Sequence, residues 1–263
     1  MVFGLFSDRR RARLRREPFP REWRAVVERN VSVFRRLSAT DQSELLGNAQ
    51  VLLAEKSFEG CGGLVLTDEI RVTIAAQASL LLLHRETEYF PNLTSILVYP
   101  SGYTAHEEQP VGGGIWESGD QDRIGHTARE LRAMVLAWDA AKQGASDPSD
   151  GRNLILHEFA HQLDFENVLA DGTPALESRS AYAAWTRVMR DELEALRAAE
   201  NSGTPTLLDQ YGATNPAEFF AVATEAFFER PLALRARHPE LFAELSAFFR
   251  QDPTVYSAET LLT

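Results

Sequence analysis

The stretch Asn153-Leu154-Ile155-Leu156-His157-Glu158-Phe159-Ala160-His161-Gln162-Leu163-Asp164 contains His-Glu-x-x-His, the signature of a zinc site carried on a helix. Two histidines at i and i+4 stand one turn apart on one helix face, so both imidazoles reach a single metal ion at about 2.0–2.1 Å. Glu158, one step round from His157, falls beside the metal rather than on it. From there it can take a proton from activated water and pass it to a leaving amine. Leu154, Ile155, Leu156, Phe159 and Leu163 cover most of the remaining circumference, the pattern of a buried helix, and polar groups buried there need a partner. Ser149-Asp150-Gly151 just upstream offers an N-cap.

A catalytic zinc takes a third protein ligand and leaves its fourth position to water. Downstream, Asn215-Pro216 opens a helical stretch bearing two candidates, Glu218 and Glu225. Seven residues apart, they share a face but stand about 10.5 Å apart along the axis, so only one can touch the metal. Each has another role open to it. Glu218, at the third helical position, can fold back on Asn215 as in a capping box. Glu225 can accept a hydrogen bond from a ligand histidine and orient it. The residues lean slightly to Glu218, because the first turn of a helix presents its side chains toward a cleft, and leave Glu225 open. His84, His126 and His238 read as structural histidines rather than ligands.

The whole chain is consistent with such a domain. Its 263 residues are 44% hydrophobic and 25% charged, ordinary for a globular protein, and the formal net charge of −11 argues against direct nucleic-acid binding. One cysteine, Cys61, excludes an internal disulfide and a cysteine-rich zinc site, leaving histidine and carboxylate as ligands and a reducing cytoplasm as the expected compartment. Runs such as Ala75 to Leu83 are too short to span a bilayer, and apolar Met1 to Phe6 precedes the basic cluster, the reverse of a signal peptide. Residues 1–22 are expected to form a basic, flexible arm, and 23–263 a single domain. Helical periodicity begins at Trp23, with a second helix capped by Thr40 and a third opened by Thr67-Asp68-Glu69. Thr94–Tyr99 and Ala133–Trp138 read as strands, 139–150 as a connection, 180–200 as a long amphipathic helix, and the last helix runs from Pro239 to Arg250. The fold class is α+β, mostly helical with a small sheet.

His157-Glu158-Phe159-Ala160-His161-Gln162-Leu163-Asp164, with Tyr211 and Asn215-Pro216-Ala217-Glu218-Phe219-Phe220-Ala221-Val222-Ala223-Thr224-Glu225-Ala226-Phe227-Phe228, resembles the MtfA (Mlc titration factor A) family of zinc-dependent peptidases. The resemblance implies a zincin-like, gluzincin-type fold and one Zn2+ per chain. It selects Glu218 as third ligand beside His157 and His161. It also implies that His106 can occupy the open metal position in a resting form, and that Tyr211 stabilises an oxyanion. Aminopeptidase-like hydrolysis of a peptide substrate is the activity implied. The alternative it carries is a regulatory role, in which the protein sequesters the transcriptional repressor Mlc as a partner and proteolysis is secondary.

Overall fold

Residues 2–101, 132–146, 151–167 and 171–257 are described by the computed structural model. Helices Val2–Leu14 (α1), Arg21–Asn30 (α2) and Ala39–Glu55 (α3) lead into strand Ser57–Gly60 (β1), helix Asp68–Leu80 (α4) and strand Ser95–Tyr99 (β2). After strand Ala133–Ala137 (β3) come helices Trp138–Ser146 (α5), Leu154–Asp164 (α6), Arg179–Ser202 (α7), Pro216–Glu229 (α8), Pro231–Arg237 (α9) and Pro239–Phe249 (α10). The architecture is helical with a small sheet, as the sequence indicates.

The sheet is parallel in the order β1-β2-β3, with Ser57 opposite Ser95 and Ser95 opposite Ala133. Parallel neighbours need a crossover, and α4 supplies the one between β1 and β2. Alternation along β2 and β3 buries Ile96, Val98, Met134 and Leu136 and leaves their neighbours half-buried, so one face of the sheet meets the core. Trp138 opens α5 instead of ending the strand, and the expected connection over 139–150 is helical as far as Ser146. Gly144 lets α5 lie close to the chain entering α6, since a Cβ there would come within 2.8 Å of the Arg152 carbonyl oxygen.

Two helices are buried almost all round. Every residue of α4 from Val72 to Leu80 is buried, and so is every residue of α8 from Phe219 to Glu229. Between them lies α6, in contact with both. Phe220 meets Trp185 of α7 with ring centroids 5.6 Å apart, and Phe227 and Phe228 meet Phe249 of α10 at 5.6 and 5.1 Å. These rings fix α8 from the side opposite α6 and so hold whatever its first turn carries. The caps follow side-chain chemistry: Ser38 rather than Thr40 caps α3 by accepting from the Asp41 N–H, and Thr67 and Ser178 cap α4 and α7.

The arginine-rich segment expected to be a loose arm is helical over Val2–Leu14 and packs along α3. Arg11 is the tie. It makes two 3.0 Å bonds to Glu55 and one of 2.7 Å to Glu88, with its guanidinium 5.0 Å from the Tyr89 ring centroid. A planar guanidinium satisfied on both carboxylates and stacked on an aromatic face is held far more firmly than a solvated surface arginine. Among the described residues no helix is long and apolar enough to cross a membrane.

Candidate metal centre

Asn153 caps α6, its side-chain oxygen accepting from the Leu156 N–H at 3.1 Å. The cap therefore lies closer to the helix than Ser149-Asp150-Gly151, and Gly151 with φ of +79° has the left-handed backbone of a turn rather than an N-cap. Ile155, Leu156, Phe159, Ala160 and Leu163 face the core, which leaves His157 and His161 together on the remaining side with ring centroids 4.9 Å apart. Asn215 caps α8 by accepting from the Glu218 N–H, and Pro216 occupies the first turn. The Glu218 carboxylate does not fold back on this cap but points at the two histidines.

Three donor atoms converge. His157 Nε2 lies 3.0 Å from Glu218 Oε2 and 3.2 Å from His161 Nε2, and His161 Nε2 lies 3.4 Å from Glu218 Oε2. Ligands at about 2.0–2.1 Å in tetrahedral array stand about 3.3–3.4 Å apart, so this triangle has the dimensions of one face of a zinc site. Two imidazole nitrogens at 3.2 Å also repel through their lone pairs unless a proton or a cation lies between them. The donor set, two imidazoles and a carboxylate with no thiolate, fits zinc.

Behind the triangle Glu225 completes the setting. Its Oε1 accepts from His157 Nδ1–H at 2.7 Å and its Oε2 accepts from the Asn153 backbone N–H. The Asn153 side-chain amide donates to Gln77 at 2.7 Å and to Glu229 at 2.9 Å, and Gln77 donates to the Asn30 carbonyl at 3.1 Å. Buried polar groups from α2, α4 and α8 thus lock the cap of α6 and the tautomer of His157 at once. Sequence reading holds this role open for Glu225 as one of two alternatives and misses Asn153 and Gln77, since their partners lie 72 and 76 residues away. The only local signal is an asparagine placed just before an apolar helical run.

Burial opposes charge on His157, yet the hydrogen bonds it donates to Glu218 and Glu225 outweigh this and hold its pKa up at about 10. Glu218 is the complement: burial acts to raise it, and the two histidines hold it well below the usual carboxylate range. Burial pushes Glu158 up, with His161 and His157 pulling the other way. The two carboxylates thus favour the imidazolium form of His157, and an ion seated at its Nε2 would have to displace that proton. The stabilisation from this imidazolium is fully present below an unfolded-state value of about 6.5 and is lost as pH rises through about 10. Zinc titrated into weakly buffered metal-free protein at pH 7.5 is expected to release about one proton per ion, with affinity falling on acidification. Uptake without proton release, and affinity flat between pH 6 and 8, would contradict this charge state.

Tyr211 sits in a short 3-10 turn, Gln210–Ala213; the residue is 45% exposed, and its ring lies 6.1 Å from the His157 ring between centroids. His106 and His126 lie outside the described residues. His84 joins Asp41 and Glu44 in a second cluster, but both its ring nitrogens are engaged, with Asp41 at 2.7 Å and the Arg250 carbonyl at 3.0 Å. His238 pairs with Glu192 at 2.7 Å. Both act as ties between helices.

Comparison with known proteins points the same way. An uncharacterized protein of Synechocystis is 36% identical over 248 residues, covering 94% of this chain and 90% of its own length. Mlc titration factor A of Serratia proteamaculans is 33% identical over 225 residues, 82% of each chain, and that of Yersinia pestis is 30% identical over 242 residues, 88% of this chain and 85% of its own. The model of a family described as glucose-regulated metallo-peptidase M90 matches residues 6–250. That span takes in α6 and α8, the two helices whose side chains form the triangle, and the chain belongs to the glucose-regulated metallo-peptidase M90 family.

Proposed function

We propose that the protein is a zinc-dependent, aminopeptidase-like peptidase, with His157, His161 and Glu218 holding one Zn2+ and Glu158 as general base. The observation that carries this reading is the closure of the three donor atoms to 3.0–3.4 Å beside a glutamate on the same helix. When bound, the metal supplies electrophilic polarisation of a carbonyl and lowers the pKa of water. The protein's own residues do the rest. Glu225 keeps the His157 Nδ1 proton in place, so that Nε2 presents a lone pair to the site. Glu158, raised by burial, accepts the proton of the attacking water on its carboxylate and delivers it to the amine nitrogen as the peptide bond breaks. Tyr211, at the exposed edge beside His157, turns its hydroxyl to the developing oxyanion. His106 as a resting-state ligand remains part of the proposal.

A second reading follows from two relatives called Mlc titration factor A: the chain binds a repressor of the Mlc type, and hydrolysis is secondary. One set of measurements separates them. Short peptides with free amino termini are expected to be cleaved, their N-acetylated forms spared, and cleavage abolished by chelation and restored by zinc. Chelator-insensitive cleavage sinks the peptidase reading. Capture of repressor by a metal-free His157→Ala protein, with no peptide turnover in the wild type, moves the assignment to the binding role.

A further inference from the structure

Gly172 joins three helices through the atoms of one residue. Its N–H donates to Asp164 Oδ2 at 2.9 Å, and its carbonyl accepts from the Trp185 indole N–H at 3.1 Å. A Cβ built on it would stand 2.2 Å from the Pro216 carbonyl oxygen. Asp164 ends α6 three residues beyond His161, Trp185 lies on α7, and Pro216 begins α8 two residues before Glu218. Asp164 and Trp185 are both fully buried, with exposures of 0% and 1%, so the junction is part of the interior. The backbone at Gly172 has φ of +78°, the left-handed region that favours glycine, so conformation and space both require the missing side chain.

The junction matters because of how the triangle is assembled. The separation of His157 and His161 is fixed by α6 itself, whereas Glu218 arrives on another helix. Its distance from the histidines depends on how the first turn of α8 sits against the end of α6, and Gly172 is wedged at that point. Cβ contacts shorter than 3.0 Å are essentially never seen. A methyl group at Gly172 must therefore widen the gap to the Pro216 carbonyl by about 0.8 Å, several times the ±0.2 Å tolerance of metal–ligand distances, and with Gly172 tied to Asp164 and Trp185 the start of α8 is the side that gives.

We propose that Gly172, clamped between Asp164 and Trp185, is the spacer that sets the distance from Glu218 to His161, making these three positioning residues for the metal site. The inference rests on the reading that His157, His161 and Glu218 bind the metal. Its test measures zinc affinity by chelator competition, the visible spectrum of the Co2+-substituted protein, and thermal unfolding of the metal-free form. Gly172→Ala is expected to bind zinc about 10–100-fold more weakly and to shift the Co2+ bands. Asp164→Ala behaves likewise, and Asp164→Asn, which keeps one acceptor for the Gly172 N–H, recovers most of the affinity. Leu45→Ala, in the core of α3 away from the junction, lowers the unfolding temperature and leaves affinity and spectrum alone. Wild-type affinity and spectrum in Gly172→Ala overturn the proposal, as does affinity that merely tracks unfolding temperature across all the variants, Leu45→Ala included. If Gly172→Ala does not fold, equal affinities in Asp164→Ala and Asp164→Asn overturn it. Wild-type protein that takes up no zinc removes the metal reading itself, a separate failure seen before any variant is made.

Discussion

Replacing Glu158 with glutamine lowers peptide turnover by about 10²–10⁴-fold and leaves zinc content at the wild-type level. The substitution preserves shape and removes only the ability to hold and release a proton. Glu158 contributes none of the three converging donor atoms, so the ligand set stays whole. Its carboxyl is one that burial already pushes toward the neutral form, and an amide removes the cost of charging it in place. Unfolding temperature should therefore hold or rise while activity collapses. That opposition of stability and activity marks a group kept for chemistry rather than for the fold. Single-turnover hydrolysis, metal analysis and thermal unfolding on one preparation check it. Undiminished turnover with full metal removes Glu158 from the role of base, and a parallel loss of zinc makes it part of the metal-holding framework instead.

The legible parts of this site were those governed by local periodicity. His157 and His161 announce themselves because a helix returns to the same face every four residues, and Asn215-Pro216 marks the start of α8 through chemistry that acts over one turn. The pair Glu218 and Glu225 could be placed on one face but not assigned, for the ligand depends on how α8 lies against α6. In the structure both carboxylates meet the same imidazole from opposite sides, Glu218 at Nε2 and Glu225 at Nδ1. Contacts joining residues far apart in sequence stayed hidden for the same reason. The Asn153–Gln77 bond, the docking of Arg11 on Glu55 and Glu88, and the parallel pairing of strands four and five residues long leave no periodic trace. Helix α5 leaves no separate signal because Trp138–Ser146 follows β3 without an intervening turn, so no punctuation divides the two patterns.

The two glutamates give the second large effect, and the difference between them is the informative quantity. Glu218→Ala removes one of three protein donors, and zinc affinity is expected to fall by more than about 100-fold, beyond the range for partners that act through a ligand. Glu225→Gln is subtler, since glutamine offers one acceptor where Glu225 uses two, for His157 Nδ1–H and for the Asn153 N–H. If the amide oxygen stays on the imidazole, the NH2 group faces the Asn153 N–H, donor against donor, at the cap of the helix that carries both histidines. If it turns round, the NH2 group faces Nδ1, the imidazole proton moves to Nε2, and the lone pair is withdrawn from the metal. Either arrangement weakens binding, and about 10–100-fold is expected. Zinc titrations of both variants across pH 6–8 distinguish the roles. Stoichiometric, tight zinc in Glu218→Ala would transfer the ligand role elsewhere, and a loss in Glu225→Gln as deep as in Glu218→Ala would bring Glu225 itself onto the metal. The intermediate result is the one the geometry favours, because Glu225 meets His157 at Nδ1, on the far side of the imidazole from the Nε2 that belongs to the three converging donor atoms.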